Sequence, residues 1–221
     1  MDKSRLKNSR TIIFDYDGTL HDSTLNYITA FKKAYNYLME NQKAVPKDWQ
    51  DEEITKWLGY NSEEMWKNFM PDLSKEYQIA ASKIIGKILL EKVLSKEAIL
   101  YPEALKTLTY LKGKGYKLIF LSNCSQTYMK AHQQTFQLTR YFDEMYCTEQ
   151  VGFIPKHRIF PLVKSQYQEE CLIVGDRIHD LEIGHYHNLV TIGCNYGFGT
   201  EEEMQKSDIR INCIRELQEI L

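Results

Sequence analysis

Residues 14–23 read FDYDGTLHDS. Asp15 and Asp17 stand two apart, directly after an apolar run at residues 11–14 and directly before Gly18 and Thr19. Alternate side chains of an extended strand share a face. Both carboxylates therefore project toward one point beyond the strand end, where the chain turns at Gly18. Like charges that close repel, and one pKa rises unless a cation or a proton stands between them. A hard divalent cation with oxygen ligands resolves the conflict, and Mg²⁺ characteristically takes one or two carboxylates together with phosphate and water.

The same design recurs in LIVGDRIHDLEIG, residues 172–184. An apolar run ends in glycine and Asp176, and Asp180 comes back alongside it if the chain turns helical. A third run, KLIFLSN, ends in Ser122 and Asn123, whose hydroxyl and amide suit phosphate oxygens. Lys156, in GFIPKHRIF, precedes a helix-like stretch and is the candidate fixed positive charge; Lys164 and Arg158 are the alternatives.

Positioning these groups requires a particular scaffold. Short apolar runs at residues 11–14, 117–121, 145–148, 171–174 and 190–194, with a weaker one at 208–212, read as strands, the first five buried on both faces. Helical patterns separate them. In PEALKTLTYLKGKG, Pro102 suits a first helical turn, Ala104, Leu105, Leu108 and Leu111 share a face, and Gly113 and Gly115 stop the helix. Alternating strands and helices predict an α/β, Rossmann-like doubly wound parallel sheet. Ligands of such sheets bind beyond the carboxyl ends of the strands, where every candidate above falls. Residues 23–98 break the rhythm. Leu25, Ile28, Phe31, Tyr35 and Leu38 recur at helical spacing, as do Ile84, Ile88 and Leu94, and short helices are expected at 51–59 and 62–69. The expected division is a core of residues 1–22 and 99–221 with an inserted all-helical unit at 23–98.

Taken together, DYDGT (15–19), Ser122, Lys156 and GDRIHD (175–180) resemble, in order, the four motifs of the haloacid dehalogenase superfamily. The helical insert after the first motif resembles the cap of its phosphoglycolate-phosphatase-like branch. The resemblance implies Asp15 as a nucleophile that becomes an aspartyl phosphate, and Asp17 as general acid, then base. It implies Ser122 and Lys156 as holders of the phosphoryl oxygens. It also implies Mg²⁺ on the Asp15 carboxylate, the Asp17 main-chain carbonyl and Asp176, with Asp180 supporting Lys156 or a metal-bound water. Dehalogenases of this superfamily lack the second aspartate, because a halide leaving group needs no proton, so Asp17 implies phosphoryl transfer. The third motif departs from the common Lys-Pro-x-Pro, reading Ile154-Pro155-Lys156-His157-Arg158.

Asn123, Gly18, Thr19 and His21 are candidate substrate-binding residues. Gly59 and Tyr60, in WLGYNSEEMW, match the position of the family's cap specificity loop; Trp57 and Trp66 read as core of the insert. Related sugar-phosphate mutases often carry an arginine soon after that glycine, and residues 60–66 contain none. The expected activity is therefore a Mg²⁺-dependent phosphatase acting on a small phosphomonoester. A mutase sharing the first half-reaction and a non-catalytic phosphate-ligand sensor are the rivals; a nucleotide-sugar transferase leaves the DGT continuation unexplained.

Remaining features are read as structural: Tyr16 as packing, Asp22 as a helix N-terminal carboxylate, residues 201–203 as a solvated helix start, and His179, His185 and His187 as surface or helix-packing groups. The 221 residues are 43% hydrophobic and 26% charged, with a formal net charge of −2. That is ordinary globular composition without the basic excess that nucleic acid or an anionic membrane would require. No apolar run is long enough to span a bilayer, and the polar MDKSRLKNSR start lacks the apolar segment of a signal peptide. Five scattered cysteines without C-x-x-C predict reduced, buried thiols in a cytoplasmic protein. The expected partner is a small phosphorylated metabolite, and the expected state a monomer or homodimer.

Overall fold

The computed structural model describes residues 3–164 and 170–221. In chain order the elements are α1 (Lys3–Asn8), β1 (Ser9–Phe14), β2 (His21–Asp22), α2 (Thr24–Glu40), α3 (Asp51–Thr55), α4 (Ser62–Phe69), α5 (Lys75–Leu94), β3 (Ile99–Leu100), α6 (Ala104–Gly113) and β4 (Lys117–Ser122). There follow α7 (Gln126–Thr135), β5 (Glu144–Cys147), α8 (Lys156–Lys164), β6 (Glu170–Gly175), α9 (Ile178–His187), β7 (Val190–Cys194), α10 (Glu201–Met204), β8 (Ile209–Ile211) and α11 (Leu217–Ile220).

Six strands form one parallel sheet in the order β5-β4-β1-β6-β7-β8. The chain leaves β1 for β4 on one side and later reaches β6 on the other, so the strand order reverses at β1. The crevice of an open α/β sheet lies at such a reversal. Ile12 and Phe14 join the core on one face of the sheet, and Ile13 joins that on the other with Ile119, Leu121 and Ile173. Helices cover both faces, which is why these strands read as continuous apolar runs. The two edge strands differ: only Cys147 of β5 and only Ile211 of β8 are buried.

Between β2 and β3, helices α2 to α5 pack around their own apolar cluster, including Phe31, Leu38, Ile54 and Trp66. β2 and β3 pair antiparallel, His21 with Leu100 and Asp22 with Ile99. This ribbon brings the entry and exit of the helical unit side by side.

Several local expectations need correction. Leu25 and Leu94 are exposed, because the buried stripe of α2 runs through Tyr27, Ile28, Phe31, Tyr35 and Leu38, and that of α5 through Ala81, Ile85 and Val93. Pro102 precedes α6, whose start is Ala104 after a left-handed Glu103. Four cysteines are buried, but Cys213 is exposed, since it lies in the turn after β8. Asp22, by contrast, is the helix N-terminal carboxylate expected: it accepts from the Thr24 amide over 3.1 Å at the start of α2, with Ser23 between them. Among the described residues no helix is long and apolar enough to cross a membrane. Residues 1–2 and 165–169, within the expected core, lie outside the described residues.

Candidate active site

β1 ends at Phe14, and the chain then coils so that the amides of Leu20 and His21 both donate to the Tyr16 carbonyl, at 2.8 and 2.9 Å. This tight loop presents Asp15 and Asp17 above the sheet edge. Gly18 adopts φ +88°, and a Cβ there would strike the Asp176 carboxylate. The loop can approach β6 this closely only because it has a glycine at that point.

Lys156, the first residue of α8, is 3% exposed and lies at the centre of the acidic groups. Its ammonium donates to Asp15 Oδ1 at 2.6 Å and to Asp180 Oδ1 at 2.7 Å. Burial alone would pull Lys156 down, but the two aspartates outweigh it and hold the ammonium above its usual range. Arg158 is exposed; Lys164 lies in the last turn of α8. Asp180 also accepts from the Arg177 amide at 3.0 Å, so both its oxygens are engaged in fixing Lys156 and the turn into α9. Asp176 accepts from the Thr19 hydroxyl at 3.0 Å and the Phe198 amide at 2.7 Å.

Carboxylate oxygens of Asp15, Asp176 and Asp180 lie within 4.8 Å of one another, and all three residues are buried. Burial and the neighbouring charge of Asp180 push Asp15 up to about 7 against the pull of Lys156. Asp176 is pushed well above its usual range by burial and then by Asp15 and Asp180. One lysine thus does not neutralise the three carboxylates. An oxygen-only, over-acidic, buried cluster fits a small hard cation such as Mg²⁺.

Asp17 faces elsewhere. Its Oδ1 lies 2.7 Å from His21 Nδ1 and accepts from the Tyr128 hydroxyl at 2.9 Å. Burial would raise Asp17, but the hydrogen bond and field of His21, the field of His132 and the Tyr128 bond together hold it below its usual value. Both bonds fall on Oδ1, and Asp17 remains in the wall of the cavity above the sheet edge. His21 itself is 1% exposed and stacks on Tyr16 with ring centroids 5.4 Å apart. It does not line the cavity above the carboxylates, so the sequence-based placement of His21 against substrate gives way to one behind Asp17. The reason is the coil at Tyr16, which turns residue 21 back under the loop. Thr19 is likewise fully buried beneath Asp176 rather than exposed to the cavity, and Gly18 is absent from its wall.

A cavity of about 210 Å³ lies above Asp15 and Asp17, between the sheet edge and the helical unit. Ser122 and Asn123 at the end of β4, and Gly59 and Tyr60 from the helical unit, are in its wall. The Asn123 amide donates to the Gly59 carbonyl at 3.0 Å, and the Arg177 guanidinium donates to the Leu58 carbonyl. Arg177 also donates to Glu203 over 3.0 Å and stacks over the Tyr60 ring at 4.7 Å. Gly59, at φ +84°, has no room for a side chain: a Cβ would come within 2.7 Å of Arg177 Cγ. The turn at Leu58–Gly59 is therefore clasped from below by two core side chains.

Sequence reasoning missed Tyr128, His132 and Arg177. Tyr128 and His132 are four apart on α7, a spacing that puts them on one helix face; His132 bonds the Tyr16 hydroxyl at 2.7 Å. Burial, then His21, pushes His132 down to about 3. Arg177 follows Asp176 directly, but nothing in the sequence showed that it reaches the insert.

The haloacid dehalogenase-like hydrolase family model matches residues 12–194, which contain every group described above except those from the last quarter-turns of the fold around Tyr196–Glu203. Phosphoglycolate phosphatase of Aquifex aeolicus (strain VF5) is 30% identical over 182 residues, covering 79% of each chain. Pyrophosphatase PpaX of Bacillus mycoides (strain KBAB4) is 24% identical over 197 residues, covering 84% of this chain and 83% of that one. The crystal structure of a predicted phosphatase from Clostridium acetobutylicum superimposes with a TM-score of 0.82 at 21% identity, over 96% of this chain and 97% of the other. The match over most of the chain, together with the shared fold, shows that this protein belongs to the haloacid dehalogenase-like hydrolase family.

Proposed function

We propose that the protein is a Mg²⁺-dependent phosphatase that hydrolyses a small phosphomonoester through an aspartyl phosphate on Asp15. The observation that carries this reading is the buried Lys156–Asp15 contact of 2.6 Å at the floor of the cavity. It places a permanent cation beside the carboxylate assigned as nucleophile and favours its anionic form against the burial and the neighbouring Asp180 that oppose it. An anionic nucleophile cannot readily approach an anionic ester without such compensation.

Asp15 attacks phosphorus, and the bond from phosphorus to the ester oxygen breaks. Asp17 gives its proton to the departing alkoxide. The approach of an anionic phosphoryl group opposes the hydrogen bonds that hold Asp17 low and favours its protonated form. In the second half-reaction Asp17 takes a proton from the water that attacks phosphorus, and Asp15 is released. Ser122, Asn123 and Lys156 are assigned to the phosphoryl oxygens. Mg²⁺, held by Asp15, Asp176 and the Asp17 main-chain carbonyl, would supply positive charge at the transferring group. Asp180 holds Lys156 in place.

The helical unit, residues 23–98, is assigned as a cap over a core of residues 1–22 and 99–221. The β2–β3 ribbon would be its hinge, and closure at Gly59 would exclude water from the acyl phosphate step. The expected setting is cytoplasmic. The test is phosphate release from p-nitrophenyl phosphate: it should require Mg²⁺ and be lost in Asp15→Asn. Release that persists in that variant would contradict the assignment.

A further inference from the structure

Two kinds of relative of this chain, phosphoglycolate phosphatase and pyrophosphatase, are named for substrates with a second anionic group next to the scissile phosphate, whereas a 5'-nucleotidase relative is not. The cavity wall here has a different chemistry. Beyond the phosphoryl end its large side chains include Tyr27, Trp57, Met65, Ile85, Leu89 and Phe153, with the hydroxyls of Ser62 and Ser82 beside them. Its polar groups are neutral apart from Asp15 and Asp17, and among the described residues that line it there is no lysine, arginine or histidine.

The nearest cations are already engaged. Lys156 is held between Asp15 and Asp180 beneath the floor. Arg177 is paired with Glu203 and bound to the Leu58 carbonyl. Lys56 sits over the Trp57 ring at 4.7 Å and borders a separate surface cleft with Asp22 and Thr24. His179 faces Glu64 at 3.6 Å. A carboxylate or second phosphate bound here would be desolvated against apolar side chains, with no counter-charge and with Asp17 nearby. Burial of an unpaired charge is among the costliest events in a protein interior.

Size narrows the choice further. An apolar cavity of about 150 Å³ is enough to take up benzene. The 210 Å³ here leaves room for a phosphoryl group and one ring or a short carbon chain.

We infer that the preferred substrate is the phosphate monoester of a compact, uncharged and largely apolar alcohol, and that esters with a second anionic group are selected against. This rests on the phosphatase reading above and specifies its substrate class. It also removes support for a mutase, whose bisphosphate intermediate needs a cationic site for its second phosphate.

The experiment compares kcat/KM at saturating Mg²⁺ for benzyl phosphate, n-propyl phosphate, 2-phosphoglycolate and pyrophosphate. Benzyl phosphate, propyl phosphate and phosphoglycolate all lose a primary alkoxide, so differences among them report recognition more than leaving-group chemistry. The neutral esters should exceed phosphoglycolate by at least about tenfold. Gly86, on α5, lines the cavity, and a Cβ there meets nothing within 4 Å. Gly86→Arg, whose Cβ is accommodated, should therefore add a cation at the cavity wall and raise the phosphoglycolate-to-benzyl phosphate ratio by about tenfold or more. Gly86→Leu, which fills similar space without charge, should not. Wild-type protein that prefers phosphoglycolate or pyrophosphate would overturn the substrate class and leave the phosphatase standing. Failure to hydrolyse any of the four, or p-nitrophenyl phosphate, would overturn both.

Discussion

His21 Nδ1 lies 2.7 Å from Asp17 Oδ1, and the Tyr128 hydroxyl donates to the same oxygen. Both partners are buried, and His132 and Tyr16 close the group behind them. The carboxylate assigned to proton transfer is thus held by a small polar cluster beneath the loop.

That arrangement makes His21 a positioning residue. Its bond and its charge outweigh part of the burial that would raise Asp17. In His21→Asn the Asp17 pKa should rise, and the limb of the kcat–pH profile that belongs to Asp17 should move to higher pH. The loss in kcat should be part of the about 10²–10⁴ that a positioned acid–base contributes, with KM little changed. Tyr128→Phe should shift the profile in the same direction by less. An unmoved profile in both variants would show that the cluster only packs.

Lys156 answers two buried carboxylates at once. Lys156→Met should remove activity and, measured by urea unfolding in EDTA, cost about 3–5 kcal/mol, because it leaves Asp15 and Asp180 buried without their cation. A change below about 1 kcal/mol would mean that the lysine contributes little to the fold.

The acidic cluster also predicts how Mg²⁺ and pH interact. Asp15 is raised from 3.8 to about 7, and Asp176 is raised as well. Below about pH 4 both folded and unfolded chains carry the protons, and the cluster costs nothing. As pH rises toward 7 the unfolded chain releases protons that the folded, metal-free chain retains, so stability falls over that window and stays low above it. A divalent cation stabilises the ionised cluster and reverses the loss. The Tm difference between Mg²⁺ and EDTA should therefore be small at pH 5 and larger at pH 8. An equal difference at both pH values would contradict a cation bound by these carboxylates.

The order of chemical groups was readable in the sequence because each sits at the end of an apolar run that the sheet buries on both faces. Asp15 and Asp176 follow β1 and β6 in that way, and Ser122 is the last residue of β4. The edge strand β5 was placed to within a residue but expected to be buried on both faces, whereas the two-residue ribbon of β2 and β3 left no pattern to read. The helical unit showed its periodicity, and in α2 its phase as well: Ile28, Phe31, Tyr35 and Leu38 are buried, and only Leu25, in the first turn, faces solvent. In α5 the buried stripe through Ala81, Ile85 and Val93 lies one position from the expected one, so Leu94 faces solvent. What joins the two units, Arg177 and Asn123 to the turn at Gly59, depends on contacts between residues more than sixty positions apart, which spacing alone cannot reveal.

The central claim is that Asp15 carries the phosphoryl group. The most direct measurement mixes enzyme and Mg²⁺ with benzyl phosphate, quenches in acid within the first turnover, and locates the added phosphoryl mass by peptide mass spectrometry. The account predicts a hydroxylamine-labile phosphoryl group on the peptide containing Asp15, absent from Asp15→Asn. Turnover by the wild-type enzyme with no modified Asp15 peptide, or with the label on another residue, would contradict it.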